Sequence, residues 1–406
     1  MGHHLNGRLL HLSVDNYRTL TRVELPLGPL TVLVGPNAAG KSNVLHALEF
    51  LGLVTQHGIT ATLKGLGGYP EIAYRGGDRF TSLMRVGVKG VWGPHGSESQ
   101  PDSYELTLRY RLRRGKGSND YVLSRRERLE HRAPDGSSTV LDLKSTKTSV
   151  TYPQRPKQVT SKFAVQPQES ALHSSAGLPV GHPVDAGLST LADLLRSIRV
   201  FDIDVRAARR PAPIGESAHL MDDGSNIADF LKELREDADA WELFLEDITT
   251  VLPHIEDIEI LPTPHRPDRV TVAIHERGLR GSTRLADASF GTVRLLCLLA
   301  LFHDPHSPAM TCIEEIDHGI HPHALELLSH RLREASDRSQ FLVTTHSPVF
   351  VDQLRPEEFV VCERDEHGRS RIPATSTDQI LAAIDASEGM PIGELWFSGT
   401  LGGTAW

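Results

Sequence analysis

"LTVLVGPNAAGKSNVLHALEFLG", residues 30–52, decides the fold. Its first five residues form an unbroken apolar run, the pattern of a strand buried on both faces. Gly35 to Ser42 then fits G-x-x-x-x-G-K-[ST] in full. Val44, Leu45, Leu48 and Leu51 recur at helical spacing and predict a helix that stops at Gly52. Strand, glycine-rich loop and helix in this order build a phosphate cradle. Gly35 and Gly40 let the backbone curl so that successive N–H groups, with the positive end of the helix, point at a polyphosphate. Lys41 adds a cation at the phosphates, and the Ser42 hydroxyl suits Mg2+. Gly35, Pro36, Asn37, Ala38, Ala39, Gly40, Lys41, Ser42 and Asn43 are therefore the candidate nucleotide contacts, with Mg2+ as the implied metal.

The C-terminal third supplies the partner elements. "ADASFGTVRLLCLLALF" is a polar turn running into a helix apolar almost all round, hence buried. "AMTCIEEID" is a buried strand ending in acid, "HPHALELLSHRLREAS" an amphipathic helix, and "QFLVTTHSP" a strand ending in a histidine. This βαβ alternation implies a parallel sheet with its functional groups at the carboxyl ends of the strands. Two adjacent carboxylates there, Glu314 and Glu315, suit a bound nucleotide: one holds the metal and the other orients or deprotonates water.

Bulk properties bound the class. The 406 residues carry 39% hydrophobic and 23% charged side chains, a globular composition of one composite domain or two. The most apolar stretch, residues 293–302, is far too short to span a bilayer, and "MGHHLNGRLL" lacks the regions of a signal peptide. Cys297, Cys312 and Cys362 lie in apolar surroundings without CxxC spacing. Cytoplasm and no membrane contact are the expectation.

The net charge of −9 hides an asymmetry. Between Arg109 and Lys162 stand 14 basic and 5 acidic residues, so that segment carries +9 against −18 for the rest. In "LRYRLRRG", Arg109, Arg111 and Arg113 alternate and share one strand face. Such a stripe meets phosphates or simply faces water beside a polar loop; its spacing fits both.

Four regions follow. Residues 1–112 form an N-terminal lobe with two short strands, "LLHLSV" and "RVELPL", the P-loop, and strands in "SLMRVGVKGVW" and "YELTLRYRL". A loop that senses base or metal is expected near Gln56 or Arg75. Residues 113–200 read as a polar, basic insertion, partly mobile between 133 and 190. Residues 201–280 hold an extended stretch, "VFDIDVRAARRPAP", then amphipathic helices with Ser225 as N-cap and Pro253 as stop, and strands. Residues 281–406 form the C-terminal lobe with a short tail, whose Trp396, Phe397 and Trp406 either dock a partner or pack back. No coiled-coil heptads or repeats occur. His303, His306, His318, His321 and His323 are dense but match no zinc spacing, and "THSP" has no G-x-S-x-G elbow.

"GPNAAGKSN", "SFGTVR", "IEEIDHGIHP" and "TTHSP", in this order, resemble the Walker A, signature, Walker B with D-loop, and switch-histidine motifs of ABC-class ATPase heads. The chain is most similar to the SMC and RecF branch and to stand-alone bacterial AAA-type ATPases, including ATPase subunits of anti-phage, OLD-like systems. "NYRTLTRVELPLGPLTVLVGPN" also resembles that branch's N-terminal strands, with Arg18 in the turn that touches nucleotide. The resemblance implies an α/β P-loop NTPase: an antiparallel β lobe, a parallel-sheet core and a helical insertion.

By that resemblance Glu314 and Ser42 hold the metal and Glu315 is the catalytic carboxylate. His346 and Lys41 meet the phosphates, Asp317 touches the opposite subunit, and Ser289 and Gly291 bind a nucleotide held by a second copy. A homodimer with two sandwiched ATPs follows. Glu314 stands where the family has aspartate, and Phe290 where small or acidic residues are usual. The implied role is ATP binding and hydrolysis in DNA repair or anti-phage defence, with DNA met through the basic segment or a separate nuclease effector. The alternative is a regulatory ATP-binding scaffold with little turnover and no DNA contact.

Overall fold

The computed structural model describes residues 7–77, 81–114, 119–132, 137–144, 147–154, 157–163, 170–173, 185–215, 219–387 and 389–402. The chain opens with β1 (Arg8–Asp15), β2 (Val23–Pro26) and β3 (Leu30–Val34), then the P-loop and α1 (Lys41–Gly65). A short α2 (Tyr69–Ile72) leads to β4 (Leu83–Val91), β5 (Asp102–Arg114) and β6 (Asn119–Arg132). β7 (Ser138–Lys144), β8 (Lys147–Gln154) and β9 (Lys157–Phe163) follow, then α3 (Asp185–Arg196) and β10 (Arg199–Phe201). Next come α4 (Val205–Ala208), β11 (Ala212–Pro213), α5 (Ile227–Leu234) and α6 (Ala238–Val251). β12 (Ile255–Thr263), β13 (Arg266–Glu276) and β14 (Ser282–Arg284) precede α7 (Phe290–Phe302) and β15 (Met310–Ile313). α8 (Pro322–Ser336), β16 (Gln340–Thr345), α9 (Pro348–Val351) and β17 (Phe359–Val361) complete the core. The tail holds β18 (Glu363–Arg364), β19 (Ser370–Arg371), α10 (Thr377–Ala386) and α11 (Ile392–Phe397).

Among the described residues, five strands form a parallel sheet in the order β10-β15-β16-β3-β17. Its central strands β15, β16 and β3 are buried at every position because both faces are covered. Val32 and Val34 of β3, with Phe341 and Val343 of β16, pack on the face that carries α7 and α8. Leu33, Leu342, Cys312 and Val360 face the other way, toward Val44, Leu45 and Leu48 of α1. An antiparallel sheet, β2-β1-β4-β5-β6-β7-β8-β9, closes over that second core. A smaller sheet of β11, β12, β13 and β14 packs with α5 and α6 on the first.

Several expectations are corrected. α1 does not stop at Gly52 but runs to Gly65, with a break at Gly58. Gly52 is there for packing: a Cβ would stand 2.9 Å from the Leu195 carbonyl oxygen at the end of α3. The region read as a polar insertion continues the antiparallel sheet as β6 to β9, and the boundary at 112 falls inside β5. Polar strands escaped notice because a sheet face open to water needs no apolar residues, so half of each strand reads like loop.

The N-cap position of α5 is Asn226, not Ser225, and no side chain caps that helix; the Asn226 amide instead bonds Met221 N and His219 O. The stretch after β10 is not wholly extended, since Asp204 caps the short α4 by accepting from Arg206 N. In the tail Trp396 is buried against the first core while Phe397 is 77% exposed; Trp406 lies outside the described residues. No helix among the described residues is long and apolar enough to cross a membrane.

Candidate active site

The order β15-β16-β3 places three strand ends side by side. From β3 the chain enters the P-loop, from β15 it reaches Glu314 and Glu315, and from β16 it reaches His346. The loop's glycines are required twice over. Gly40 has φ 101°, and a Cβ there would also stand 2.1 Å from the Ser370 hydroxyl; at Gly35 it would stand 2.3 Å from the Cys362 carbonyl oxygen. The exit of β17 and the strand β19 thus back the loop at both ends. Ala38 also takes a left-handed φ of 65°.

Lys41 opens α1 and is nearly buried; its Nζ donates to the Gly35 and Pro36 carbonyl oxygens at 2.7 and 3.0 Å. Burial pushes its amine below the ordinary lysine value. The Ser42 hydroxyl donates to Glu314 Oε2 at 2.9 Å. Burial raises the Glu314 carboxyl, and the Ser42 hydrogen bond opposes that shift. Beside it His46 Nε2 stands 3.5 Å from Glu314 Oε1, and its Nδ1 is 2.6 Å from Arg18 Nη1. Burial, with the neighbouring Arg18 charge, pushes the His46 imidazole down to about 4. The ring is therefore neutral near pH 7, and Nδ1 accepts from the guanidinium. Arg18 also reaches Asn43 Oδ1 at 3.4 Å, and the Asn43 amide donates to Thr19 Oγ1 at 2.7 Å.

Glu315 adopts φ 47°, a left-handed conformation that costs a glutamate about 1 kcal/mol. Its N–H donates to Thr344 Oγ1 at 2.9 Å, and its carboxylate stands 3.4 Å from His318 Nδ1. Thr345 donates to Asp317 at 2.5 Å, and His346 Nε2 lies 3.8 Å from the same carboxylate. Ser289 caps α7 by accepting from Thr292 N at 3.1 Å. Phe290 is half exposed and rests against the His318 ring, 5.4 Å between centroids.

Arg18, the 35–43 loop, Glu314, Glu315 and His346 are thus gathered at one end of the parallel sheet. Ser289 and Gly291 sit beside the loop after Glu315; among the described residues no hydrogen bond or ion pair joins them to the P-loop. Gln56 bonds Arg196 O at 3.2 Å on the far part of α1, whereas Arg75 pairs with Glu71 and lines a cavity of about 700 Å³ with Arg18 and Asn43. His303 is bound to Asp247 at 2.6 Å, and His321 caps α8. Among the described residues, no group of three or more His, Cys, Asp or Glu is placed to hold a metal. Sequence reasoning missed His46 and Arg294. The signal for His46 was its place four residues after Ser42, on the same helix face.

Residues 30–352 match a family described as "AAA domain, putative AbiEii toxin, Type IV TA system". The chain belongs to this family of AAA ATPase domains. Curated relatives match over short segments. An OLD nuclease of Thermus scotoductus is 51% identical over 43 residues, 11% of this chain and 8% of that protein. A RecF DNA replication and repair protein of Paenarthrobacter aurescens is 42% identical over 53 residues, 13% of each. The match thus spans about a tenth of these relatives' lengths. The fold extends further: the Smc head of Pyrococcus furiosus, with an extended coiled coil and bound to a ScpA domain, superposes with TM-score 0.54 at 14% identity, over 94% of this chain and 100% of that chain. Another Smc head, bound to the C-winged helix domain of ScpA, gives TM-score 0.51 at 16% identity, covering 90% and 96%. The architecture is that of an SMC/RecF-like ABC ATPase head.

Proposed function

We propose that this domain hydrolyses ATP with Mg2+ between two copies of itself and couples the cycle to a DNA-linked task. The observation that carries the chemistry is the Ser42 to Glu314 hydrogen bond of 2.9 Å, with Glu315 next in the chain. A hydroxyl and a carboxylate are the hard oxygen donors that Mg2+ takes, so these two residues fit the ion and would hold it. Held by Ser42 and Glu314, such an ion would supply charge neutralisation at phosphate oxygens. Lys41 exchanges its two loop carbonyls for phosphate oxygens. Glu315 accepts a proton from the attacking water, and His346 holds the terminal phosphate. Ser289, exposed, and Gly291, half-buried, reach from the start of α7 to the nucleotide of the second copy.

A DNA-linked role is supported by the names of the relatives and by the antiparallel sheet. Its outer face exposes Lys89 on β4 and Arg109 and Arg111 on β5, while Leu106 and Leu108 point into the core. The side chains of Arg113 and of residues 145–169 lie outside those described. DNA repair or anti-phage defence, with a separate nuclease as effector, is the setting this reading assigns to the domain.

The test is phosphate release and particle size for wild type and Glu315→Gln, each with Mg-ATP. Slow turnover by wild type, with an inactive variant that accumulates as an ATP-bound dimer, is the expected result. No turnover and no nucleotide-dependent dimer in either protein would overturn it in favour of a regulatory scaffold.

A further inference from the structure

Arg294 is a buried cation that the chemistry proposed above leaves unused. Arg294 lies on α7, five residues after Ser289, and is 3% exposed. Among the described residues no salt bridge involves it, and its Nε is buried without a hydrogen-bond partner. Its neighbours Val293, Leu295 and Leu296 are all buried, so the helix would pack there with an apolar residue. Burying a guanidinium without a carboxylate is costly, and main-chain oxygens repay only part of it.

Those oxygens belong to the catalytic segment. Arg294 Nη2 donates to the carbonyl oxygens of Glu314 at 2.9 Å and of Glu315 at 2.7 Å, and Nη1 to Ile203 O at 3.4 Å. The residue that receives the shorter bond is the one held at φ 47°. The first turn of the same helix is in contact with the segment that follows. A Cβ on Gly291 would stand 2.6 Å from the Gly319 carbonyl oxygen, and one on Gly319 2.5 Å from the Phe290 ring. With Phe290 also against His318, neither the turn nor the 315–319 loop can shift without displacing the other.

We infer that Arg294 is a positioning residue that transmits the state of the Ser289–Gly291 turn to Glu315, so that each carboxylate is set by the nucleotide of the opposite subunit. The inference rests on the sandwiched-dimer reading above. A rigid planar fork is what the geometry requires, since one nitrogen must serve two carbonyls while the other holds Ile203. A shift of α7 along its axis moves the fork, and the fork moves both carbonyls. Lysine supplies the charge as a single point, and methionine fills the volume without donors.

The test compares wild type, Arg294→Lys and Arg294→Met as full chains. Affinity for the non-hydrolysable analogue AMP-PNP with Mg2+, thermal midpoint, kcat and KM are measured for each. Amide hydrogen exchange of segments 285–293 and 313–318 is followed with and without that analogue. For Arg294→Met the expected result is affinity within about threefold of wild type and kcat lower by roughly 10- to 100-fold. Arg294→Lys recovers part of the loss. Nucleotide still protects 285–293 in the methionine variant but no longer protects 313–318. Unchanged kcat overturns the inference, as does a fall in kcat that only tracks falls in affinity and thermal midpoint. If wild type shows no turnover, the ATPase reading fails and exchange alone decides. Protection of both segments in wild type, uncoupled in Arg294→Met, sustains the inference; coupling retained, or no protection in wild type, overturns it.

Discussion

The Ser42 hydroxyl donates to Glu314 at 2.9 Å, joining the first turn of α1 to the end of β15 across 272 residues of sequence. A pair of oxygens from two separate elements, both anchored on one sheet, is rigid enough to select an ion with strict geometry. Replacing Glu314 by Gln keeps its size and removes its charge. A Mg2+ titration of nucleotide binding is expected to shift upward by roughly tenfold or more. Equal Mg2+ requirements in the two proteins would sink the assignment.

His46 makes the site sensitive to acid. Its imidazole is held at about 4 against an ordinary 6.5, so between those values the unfolded chain takes up a proton that the folded one refuses. Stability therefore falls as pH drops through that window, and the loss levels off below it. Between pH 7 and pH 5 the contribution is about 1–2 kcal/mol after allowance for partial exposure. In His46→Gln the difference in unfolding free energy between those two pH values should shrink by that amount, as denaturant titrations will show.

A buried carboxylate serves the scaffold alone. Asp247 of α6 is 1% exposed, accepts from Arg331 through both oxygens, and takes a 2.6 Å bond from His303. Burial works to raise its carboxyl, but the His303 and Arg331 hydrogen bonds outweigh that and hold it below the usual value. Its stabilising effect is thus complete above the ordinary aspartate range and is lost as pH falls. Asp247→Asn is expected to cost roughly 2–4 kcal/mol in urea unfolding at neutral pH. A loss under 1 kcal/mol would mean that the three helices hold together without it.

The basic sheet face is less basic than its composition. Arg126 forms two bonds of 3.0 Å with Asp142, and Arg85 pairs with both Asp15 and Glu105. Arg109 and Arg111 have no ion pair among the described residues. Replacing both by Gln should lower the dependence of log K for DNA on log salt by about 2, whereas Arg126→Gln should change it by less than 1. An unchanged slope in the double variant places DNA elsewhere or excludes it.

The parallel core was legible because its signals are local. A five-residue apolar run, a glycine loop and a helical repeat sit within 23 positions, and β15 with its two glutamates carries the same kind of mark. The antiparallel extension was not legible from 133 to 163, since β7, β8 and β9 offer few apolar residues and their pairing partners are set by register rather than composition. Gly52 misled for a related reason: a glycine that ends a helix and one that admits a neighbouring helix look alike in sequence.

By itself the sequence determined the P-loop, the helix behind it, the strand ends that carry Glu314, Glu315 and His346, and the order of those elements along the chain. Backbone preference and apolar periodicity act over a few residues, so they are written where they act. Only the tertiary structure decided that Ser42 meets Glu314, that a neutral His46 stands between Glu314 and Arg18, and that Arg294 donates to the carbonyls of both Glu314 and Glu315. It also decided that Arg85 and Arg126, on the same sheet, are already paired with acids on neighbouring strands. Those contacts depend on strand order and register, which join residues tens to hundreds of positions apart through packing that no spacing in the chain encodes.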